Sequence, residues 1–481
     1  MAESLSQTLD YNRRIGLITG IKIEQGTKNI NHSQFADDTL LIGGASITIA
    51  RRFKKILDQF MDYSGGKVNQ IKSCIYGWNT PNHTIHSIAS RFGVSCKLVW
   101  NHFSYLGMPV SLGPLKADTW NEILDKIKRK VQQWGTMWLN PAGRLVLLKL
   151  GIASLPIYRF SLYQAPAVFH QKMERALRHF LWQGGKTDKK KFNLVSWKNI
   201  IQSQEKGGLG IRSPKLLNLA LGAKIVWRMI TGPTAWWKKI LEAKYLNCTR
   251  QRLLETNIPN RDSTKIWQLC KKAINFMSQN ISKVPRGGSS INFSTDRILG
   301  QHPIGTKMEA IPAINWLNGK GILHLAQISQ WDNHSQAWTG WKFPDHPREL
   351  DTSLTALKKL LHNKAPVQEG IHDGYRWDPT GTQYTVKVGH QFLCDSTLQQ
   401  EIWNQWKIVW RAEAPPKVKF FIWLLLKGKT LTAENLKKRG IMGPSRCPNC
   451  CRSEETMQHL FIECPVVDEC WKKMASIGEA P

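Results

Sequence analysis

The chain of 481 residues contains no long apolar run. A membrane-spanning helix needs roughly 18 consecutive apolar residues, and no segment approaches that length. The first thirty residues carry charged side chains and no apolar stretch, so no signal peptide is predicted. We therefore expect an intracellular protein, nuclear or cytoplasmic, without a membrane partner. Hydrophobic residues still make up 42% of the chain and tryptophan occurs 21 times, which predicts a globular protein of several domains.

Acidic residues are scarce. Lys and Arg number 67 against 35 Asp and Glu, which gives a net charge of +32. Residues 113–260 alone hold 26 basic and 8 acidic side chains. A field of one sign over folded, tryptophan-rich helices suits the nucleic-acid backbone, because each neutralised phosphate releases counterions. The sequence therefore predicts a nucleic-acid partner. The alternative is a generally basic protein whose lysines are only solvated.

Cysteine is sparse outside one short segment. Five of the ten cysteines lie between residues 447 and 470, and the other five are scattered. This distribution argues against the disulfide framework of a secreted protein. Metal binding in a reducing compartment explains the clustering better.

The clustered cysteines form a metal-binding pattern with one histidine. Three thiolates and one imidazole are ligands that tetrahedral Zn²⁺ prefers, and four protein ligands leave no open position, so the predicted site is structural. Cys451 is a competitor for the metal, and Cys470 is predicted to be a free thiol. The alternative is a chance cluster of buried cysteines. The predicted zinc ligands are Cys447, Cys450, His459 and Cys464, in the spacing Cys-x2-Cys-x8-His-x4-Cys.

A pair of aspartates lies in a predicted hairpin. Residues 30–42 place apolar positions on both sides of a small acidic centre, which indicates strand, tight turn and strand. Nucleotidyl transfer requires carboxylates that hold two Mg²⁺ ions, and Asp37 and Asp38 at a hairpin tip would supply one side of that clamp. Two aspartates in a turn are common, however, so the pair alone does not establish catalysis.

Residues 118–135 have the clearest helical pattern. Their apolar side chains recur on one face, and a second helix is predicted after Asn140-Pro141, with Asn140 as its N-cap. The outer faces are basic. The two helices would lie along a nucleic-acid duplex or form an ordinary helical hairpin, and periodicity leaves both open. The basic residues are Lys126, Lys128, Arg129, Lys130 and Arg144.

Two further features bear on domain organisation. The polar run at residues 186–191 predicts a boundary, and the alternating pattern at residues 383–388 predicts a strand that opens the last domain. Trp403, Trp406 and Trp410 follow with helical spacing. They are predicted to be core residues, with stacking on bases as the alternative.

Taken together, these motifs resemble those of plant LINE-type (non-LTR) retrotransposon reverse transcriptases. Phe35-Ala36-Asp37-Asp38 resembles the signature hairpin of that family. The block from Tyr384 to Cys464 is similar to the zinc-binding domain fused to those polymerases. Further matches follow in the family's order: Ser64-Gly65-Gly66-Lys67-Val68-Asn69 with Lys72, Tyr105-Leu106-Gly107-Met108-Pro109, Leu139-Asn140-Pro141-Ala142-Gly143-Arg144 with Lys149, and Gly207-Gly208-Leu209-Gly210-Ile211.

The resemblance implies an α+β fold in four parts. These are a partial right-hand polymerase palm over residues 1–112, a thumb-like basic helical region over 113–185, a helical connector over 186–380 and a zinc-binding domain over 381–475. It implies that Asp37 and Asp38 are catalytic and bind Mg²⁺, and that Lys67 and Lys72 contact substrate phosphate. The fingers, the first catalytic aspartate and an endonuclease are expected to be absent from this chain, and no ribonuclease H domain is expected in it.

Two functions follow from this resemblance. The first is a fragment of an RNA-directed DNA polymerase that binds zinc, an RNA template and a DNA primer, and that is inactive until an upstream palm and fingers segment completes the Mg²⁺ site. The second is a non-catalytic, zinc-dependent nucleic-acid-binding protein derived from such an element. A pseudogene product without function is a further alternative.

Overall fold

The protein is described by a computed structural model, which divides the chain into two compact units. Unit 1 comprises residues 1–119 and 223–384, and unit 2 comprises residues 120–222 and 385–481. The predicted α+β class is confirmed: helices dominate, and the strands of the described part pair as two-stranded sheets. The structure describes residues 2–23, 27–113, 117–135, 139–184, 192–246, 263–396 and 405–478. The boundary predicted at 186–191 lies outside these ranges.

The first part of unit 1 builds small sheets around three helices. In chain order the elements are α1 (Ala2–Arg14), β1 (His32–Phe35), β2 (Asp38–Leu41), α2 (Ile47–Ser64), β3 (Cys74–Tyr76), α3 (Asn82–Phe92), β4 (Ser95–Lys97), β5 (His102–Tyr105) and β6 (Met108–Ser111). Strands β1 and β2 form an antiparallel hairpin, β3 and β4 a parallel pair, and β5 and β6 a second antiparallel hairpin.

The hairpin predicted around the aspartates is present. Phe35 pairs with Asp38, so Ala36 and Asp37 form a two-residue turn. Ala36 has φ +52°, a left-handed conformation that matches the twist of a tight hairpin but is disfavoured for a residue with a Cβ atom. A small apolar core lies under this region, where α1 packs against α2. It consists of Leu5, Leu9, Ile18, Phe53 and Ile56.

Helices predominate in unit 2. Its elements are α4 (Asn121–Gly135), α5 (Pro141–Leu147), a π turn (Leu148–Ile152), α6 (Ile157–Phe160), α7 (Ala167–Gln183), α8 (Trp197–Ile200), the first half of α9 (Pro214–Thr231) and, further along the chain, five helices given below. The predicted helix at residues 118–135 is confirmed as a 3₁₀ turn followed by α4, which buries Ile123, Ile127 and Val131. Asn140 is the N-cap of α5, as predicted: its side chain accepts a hydrogen bond from the Gly143 backbone N–H at 2.8 Å.

The second part of unit 1 surrounds its own apolar cluster. Phe293, Ile314, Leu325 and Leu357 are among its buried members. Its elements are the second half of α9, then α10 (Trp236–Tyr245), α11 (Lys265–Ser278), β7 (Ile281–Val284), α12 (Ile311–Gly319), α13 (Leu325–Ile328), β8 (Ser329–Trp331), β9 (Trp338–Trp341), α14 (Asp351–Leu361) and β10 (Gly374–Trp377). Strand β10 pairs with β7, and β8 pairs with β9.

One carboxylate in unit 1 organises the loop that follows β7. The Asp373 carboxylate accepts hydrogen bonds from the backbone N–H groups of Arg286 (2.9 Å), Gly288 (2.8 Å) and Ser290 (3.0 Å), and from the Ser290 hydroxyl (2.8 Å). Gly287 is required in this loop because an added Cβ atom would lie 2.1 Å from the Ile371 carbonyl oxygen. Burial alone would raise the pKa of Asp373, but these donors outweigh it and hold the pKa below its usual value.

Replacement of Asp373 by Asn is expected to destabilise unit 1 by about 2–3 kcal/mol at neutral pH, since an amide nitrogen would face N–H donors. The pKa of Asp373 is lower in the folded protein than in the unfolded chain. The Asp373 carboxylate therefore stabilises the fold fully above the unfolded-state pKa of about 3.9, and this stabilisation is lost as the pH falls through the folded-state pKa. The difference between wild type and Asp373→Asn in urea unfolding should therefore shrink below about pH 4. Asp345→Asn, at an exposed position of the same unit, is the matched control and should leave the curves unchanged.

The remaining helices of unit 2 come from the end of the chain. They are α15 (Val386–Ser396), α16 (Gln405–Arg411), α17 (Pro416–Leu426), α18 (Ala433–Lys437) and α19 (Pro465–Gly478). The strand predicted at residues 383–388 is wrong, because α15 begins inside it. Thr385 acts as an N-terminal cap of this helix, because its hydroxyl accepts a hydrogen bond from the Val388 backbone N–H at 3.3 Å.

The two separate stretches of unit 2 share one hydrophobic core. Phe160, Leu177 and Phe180 from the first stretch belong to the same buried cluster as Trp406 and Trp423 from the second. Trp423 is fully buried, and its indole N–H donates to the Gly207 carbonyl oxygen at 2.9 Å. Trp406 is 4% exposed, in agreement with its predicted core role, whereas Trp410 is only partly buried. Trp403 lies outside the described residues.

Candidate metal centre and nucleic-acid interface

The first two predicted zinc ligands lie in a tight knuckle. The Cys447 backbone N–H donates to the Ser453 carbonyl oxygen at 2.8 Å, and the Cys451 N–H donates back to the Cys447 carbonyl oxygen at 2.9 Å. Cys451 has φ +54°, so the chain reverses there and brings the Cys450 thiol to the same side as Cys447. The knuckle is thus held by its own backbone hydrogen bonds.

The other two predicted ligands lie at the start and just after the end of a single π turn. This turn spans His459–Glu463, and the Cys464 N–H donates to the His459 carbonyl oxygen at 2.8 Å. The Thr456 hydroxyl accepts a hydrogen bond from the His459 N–H at 3.0 Å and so fixes the start of the turn. Cys464 then precedes α19, which begins at Pro465. The local sequence therefore places the imidazole and the thiol about one turn apart.

The structure brings the four side chains together. One ligand atom from each of Cys447, Cys450, His459 and Cys464 lies within 4.8 Å of all the others. The Cys447 and Cys464 sulfurs are 3.9 Å apart, and the Cys450 sulfur is 3.2 Å from His459 Nε2. Zn–S bonds of about 2.3 Å imply a separation of about 3.7 Å between sulfurs of a tetrahedral site. The donor set and its spacing therefore fit zinc, and they leave no position for a substrate.

The environment of the thiols differs across the cluster. The Arg452 backbone N–H is the largest cause that lowers the pKa of Cys450, to about 6, and the His459 imidazole acts in the same direction. Burial raises the pKa of Cys464, which is fully enclosed. Cys451 and Cys470 are both exposed and do not belong to the cluster. The structure therefore gives Cys451 no place among the ligands.

The aspartates of the hairpin are exposed at its turn. Within the described part of the chain, no third His, Cys, Asp or Glu joins Asp37 and Asp38 in a group able to hold a metal ion. Lys67 and Lys72 are exposed in the segment between α2 and β3. These four positions remain predictions.

The predicted basic residues of α4 point to solvent, with one exception. Lys126, Lys128 and Arg129 are exposed, and Lys128 forms an ion pair of 3.1 Å with Asp125. Lys130 is partly buried, and its ammonium lies 5.0 Å from the centre of the Trp134 ring.

Arg144 has a structural environment that the sequence did not indicate. Its guanidinium donates to the carbonyl oxygens of Leu139 (3.1 Å), Leu181 (3.1 Å) and Trp182 (3.3 Å). These bonds connect the start of α5 with the end of α7. Much of the hydrogen-bond donor capacity of the Arg144 side chain is therefore used by carbonyl oxygens within unit 2.

None of the helices in the described ranges combines the length and the apolar character that a membrane crossing requires.

Comparison with known proteins bears on the metal centre. Residues 384–471 match the family described as zinc-binding in reverse transcriptase, and this range contains all four clustered residues. The chain is also similar to a putative ribonuclease H protein of Arabidopsis thaliana, with 25% identity over 379 residues. That alignment covers 76% of this chain and 57% of the relative, so the chain spans little more than half the relative's length. Together the two similarities indicate a retrotransposon-related protein.

Proposed function

We propose that the protein is derived from a LINE-type retrotransposon reverse transcriptase and binds nucleic acid through unit 2, whose zinc centre holds the end of that unit together. One observation supports this most directly: three thiols and an imidazole converge at zinc-binding distances inside a segment similar to the zinc-binding domain of reverse transcriptases. Cys447, Cys450, His459 and Cys464 would hold the ion. The zinc would be structural, since its four protein ligands complete a tetrahedron.

Charge supports nucleic acid as the partner. The net charge is +32, and α4 buries its apolar face while Lys126, Lys128 and Arg129 face solvent. A basic helix anchored in this way presents its charge at a fixed position, where it can neutralise phosphates without unfolding. By the family resemblance, the bound nucleic acid would be an RNA template with a DNA primer.

RNA-directed DNA polymerisation is the second candidate function, and the hairpin with Asp37 and Asp38 favours it. That reaction needs carboxylates around two Mg²⁺ ions. The described residues supply no third ligand to this pair. We therefore propose that the chain by itself does not polymerise, and that Mg²⁺ would bind productively only if another segment or polypeptide completed the site.

Nucleic-acid binding is expected to be strongly salt-dependent and to involve α4. Replacing Lys126, Lys128 and Arg129 together with Gln should weaken binding to an RNA–DNA hybrid and lower the slope of log K against log salt by up to about 3, or about one for each phosphate that is no longer neutralised. Fluorescence anisotropy at several salt concentrations measures both quantities. The matched control replaces three exposed lysines of unit 1, Lys307, Lys342 and Lys359, and should keep the wild-type slope.

Two further variants separate the candidate functions. Binding should survive Asp37→Ala and be lost in Cys447→Ser, and neither wild type nor Asp37→Ala should extend a primer. Template-dependent extension by wild type that disappears in Asp37→Ala would contradict the non-catalytic proposal. Equal loss of binding in the unit 1 triple variant would contradict the assignment to α4.

A further inference from the structure

Unit 2 contains a cavity of about 200 Å³ where its two chain stretches meet. Its apolar wall comes from Leu145 of α5 and Phe420 of α17, together with neighbouring residues of both helices. Most of the lining surface is apolar, and the lining residues that carry polar groups are Lys149, Gln204, Trp410 and Lys419. Two of the lining side chains are cationic and none is acidic, so the cavity favours an anion.

The ammonium group of Lys149 lies in a partly buried position. Gly210 has φ +67°, and a Cβ atom added there would lie 3.6 Å from Lys149 Nζ and 3.9 Å from Gln204 Cγ. Both side chains therefore lie beside Gly210, next to the space that a side chain at this position would occupy. Within the described ranges, the Lys149 ammonium forms no ion pair or hydrogen bond. Burial lowers its pKa, which means that the charged form lacks the solvation it would have in water.

A second lysine, Lys419 of α17, also lines the cavity. The Lys419 ammonium donates to the Trp410 carbonyl oxygen at 3.2 Å and keeps further N–H groups for another acceptor. Lys419 belongs to the first turn of α17, whose dipole also attracts negative charge. An occupant with several acceptor oxygens would accept hydrogen bonds from the two lysine ammonium groups.

We propose that this cavity binds a phosphate group of a nucleic-acid strand, between the ammonium groups of Lys149 and Lys419. The proposal rests on the nucleic-acid binding proposed above and identifies a contact point for it. The volume is below the roughly 300–1,000 Å³ of clefts that enclose a drug-sized ligand, so the occupant is a phosphate with its attached sugar. The apolar wall would contact the sugar, and the base would remain outside.

The first arm of the test uses inorganic phosphate alone. Isothermal titration with the full chain should detect phosphate binding that weakens at least about tenfold in Lys149→Met and in Lys419→Met, since each removes one charged donor. Lys149→Arg keeps the charge and should retain most of the affinity. Lys172→Met removes an exposed lysine of the same unit and should bind like wild type. Circular dichroism identifies any variant that fails to fold. If one of the two methionine variants is unfolded, phosphate binding by the other tests the proposal.

The second arm uses a single-stranded oligonucleotide in anisotropy, with inorganic phosphate as competitor. We expect Lys149→Met to lower the salt slope by about one and to weaken binding, while Lys172→Met changes affinity less than about twofold. No phosphate binding at tens of millimolar, or equal binding by wild type and both methionine variants, would overturn the cavity assignment.

Oligonucleotide binding that is independent of both lysines, with phosphate binding that requires them, would overturn the strand as the source of the phosphate. If wild type binds phosphate through these lysines but binds no oligonucleotide, the proposed function of the protein fails separately from the phosphate site.

Discussion

Removal of zinc is expected to unfold the end of unit 2. Between α18 and the π turn that begins at His459, the chain has no helix or strand and is held by a few local backbone hydrogen bonds, which we expect to be insufficient without the metal. Structural zinc contributes about 10–16 kcal/mol in small zinc-binding peptides, which is as large as the whole stability of a typical domain. A strong chelator should therefore remove about one zinc ion per chain and abolish amide protection over residues 445–464. Elemental analysis and hydrogen exchange measure these effects, and added Zn²⁺ should reverse them.

Single substitutions test which residues bind the zinc. Cys464→Ser removes a fully buried ligand and should lose both the zinc and the protection. Cys451→Ser and Cys470→Ser alter exposed thiols outside the cluster and should keep both. Retention of zinc by Cys464→Ser, or loss of zinc in Cys451→Ser, would contradict the proposed ligand set.

Replacement of Trp423 by Ala is expected to be the most damaging single change in the core of unit 2. The side chain is completely buried, and truncating a buried tryptophan costs about 3–5 kcal/mol. The substitution also leaves the Gly207 carbonyl oxygen without its donor. The loss is a large fraction of the about 5–15 kcal/mol that stabilises a typical domain, so the midpoint of urea unfolding should fall sharply or the variant should be recovered unfolded.

Two controls identify the cause of that loss. Trp423→Phe keeps most of the apolar volume but removes the N–H donor, and it should cost about 1–3 kcal/mol. Trp78→Ala removes an indole that is 62% exposed, in unit 1, and should change the midpoint little. A wild-type midpoint for Trp423→Ala would show that the contact between Trp423 of α17 and Gly207 does not stabilise the unit.

The local features of this protein were accessible from the sequence. The convergence of Cys447, Cys450, His459 and Cys464 was predicted because a tetrahedral metal site constrains the spacing of its ligands along the chain. Helix α4 was predicted because its apolar residues recur with the helical period. The cap at Asn140 was predicted because an N-terminal Asn-Pro pair has a defined backbone conformation. Each of these features is determined within about twenty residues.

The features that the sequence did not predict depend on distant contacts. Arg144 was grouped with the exposed basic residues, but its environment is set by carbonyl groups nearly forty residues away. The cavity joins Lys149 and Lys419, which no short motif relates. The false strand at 383–388 arose because six alternating residues fit a strand and the start of a helix equally well.

The shared core of unit 2 has a consequence for chain topology. Residues 223–384 act as a long insertion between its two stretches. The entropy lost on closing such a loop grows only with the logarithm of its length, so doubling the insertion would cost about 0.6 kcal/mol. Unit 2 is therefore insensitive to the length of the insertion, but on the ribosome its core stays open until α17 has been synthesised. During that interval α5 lacks its partner α17, and Trp182 of α7 lacks Phe420, so we expect these apolar surfaces of the nascent chain to be open to aggregation.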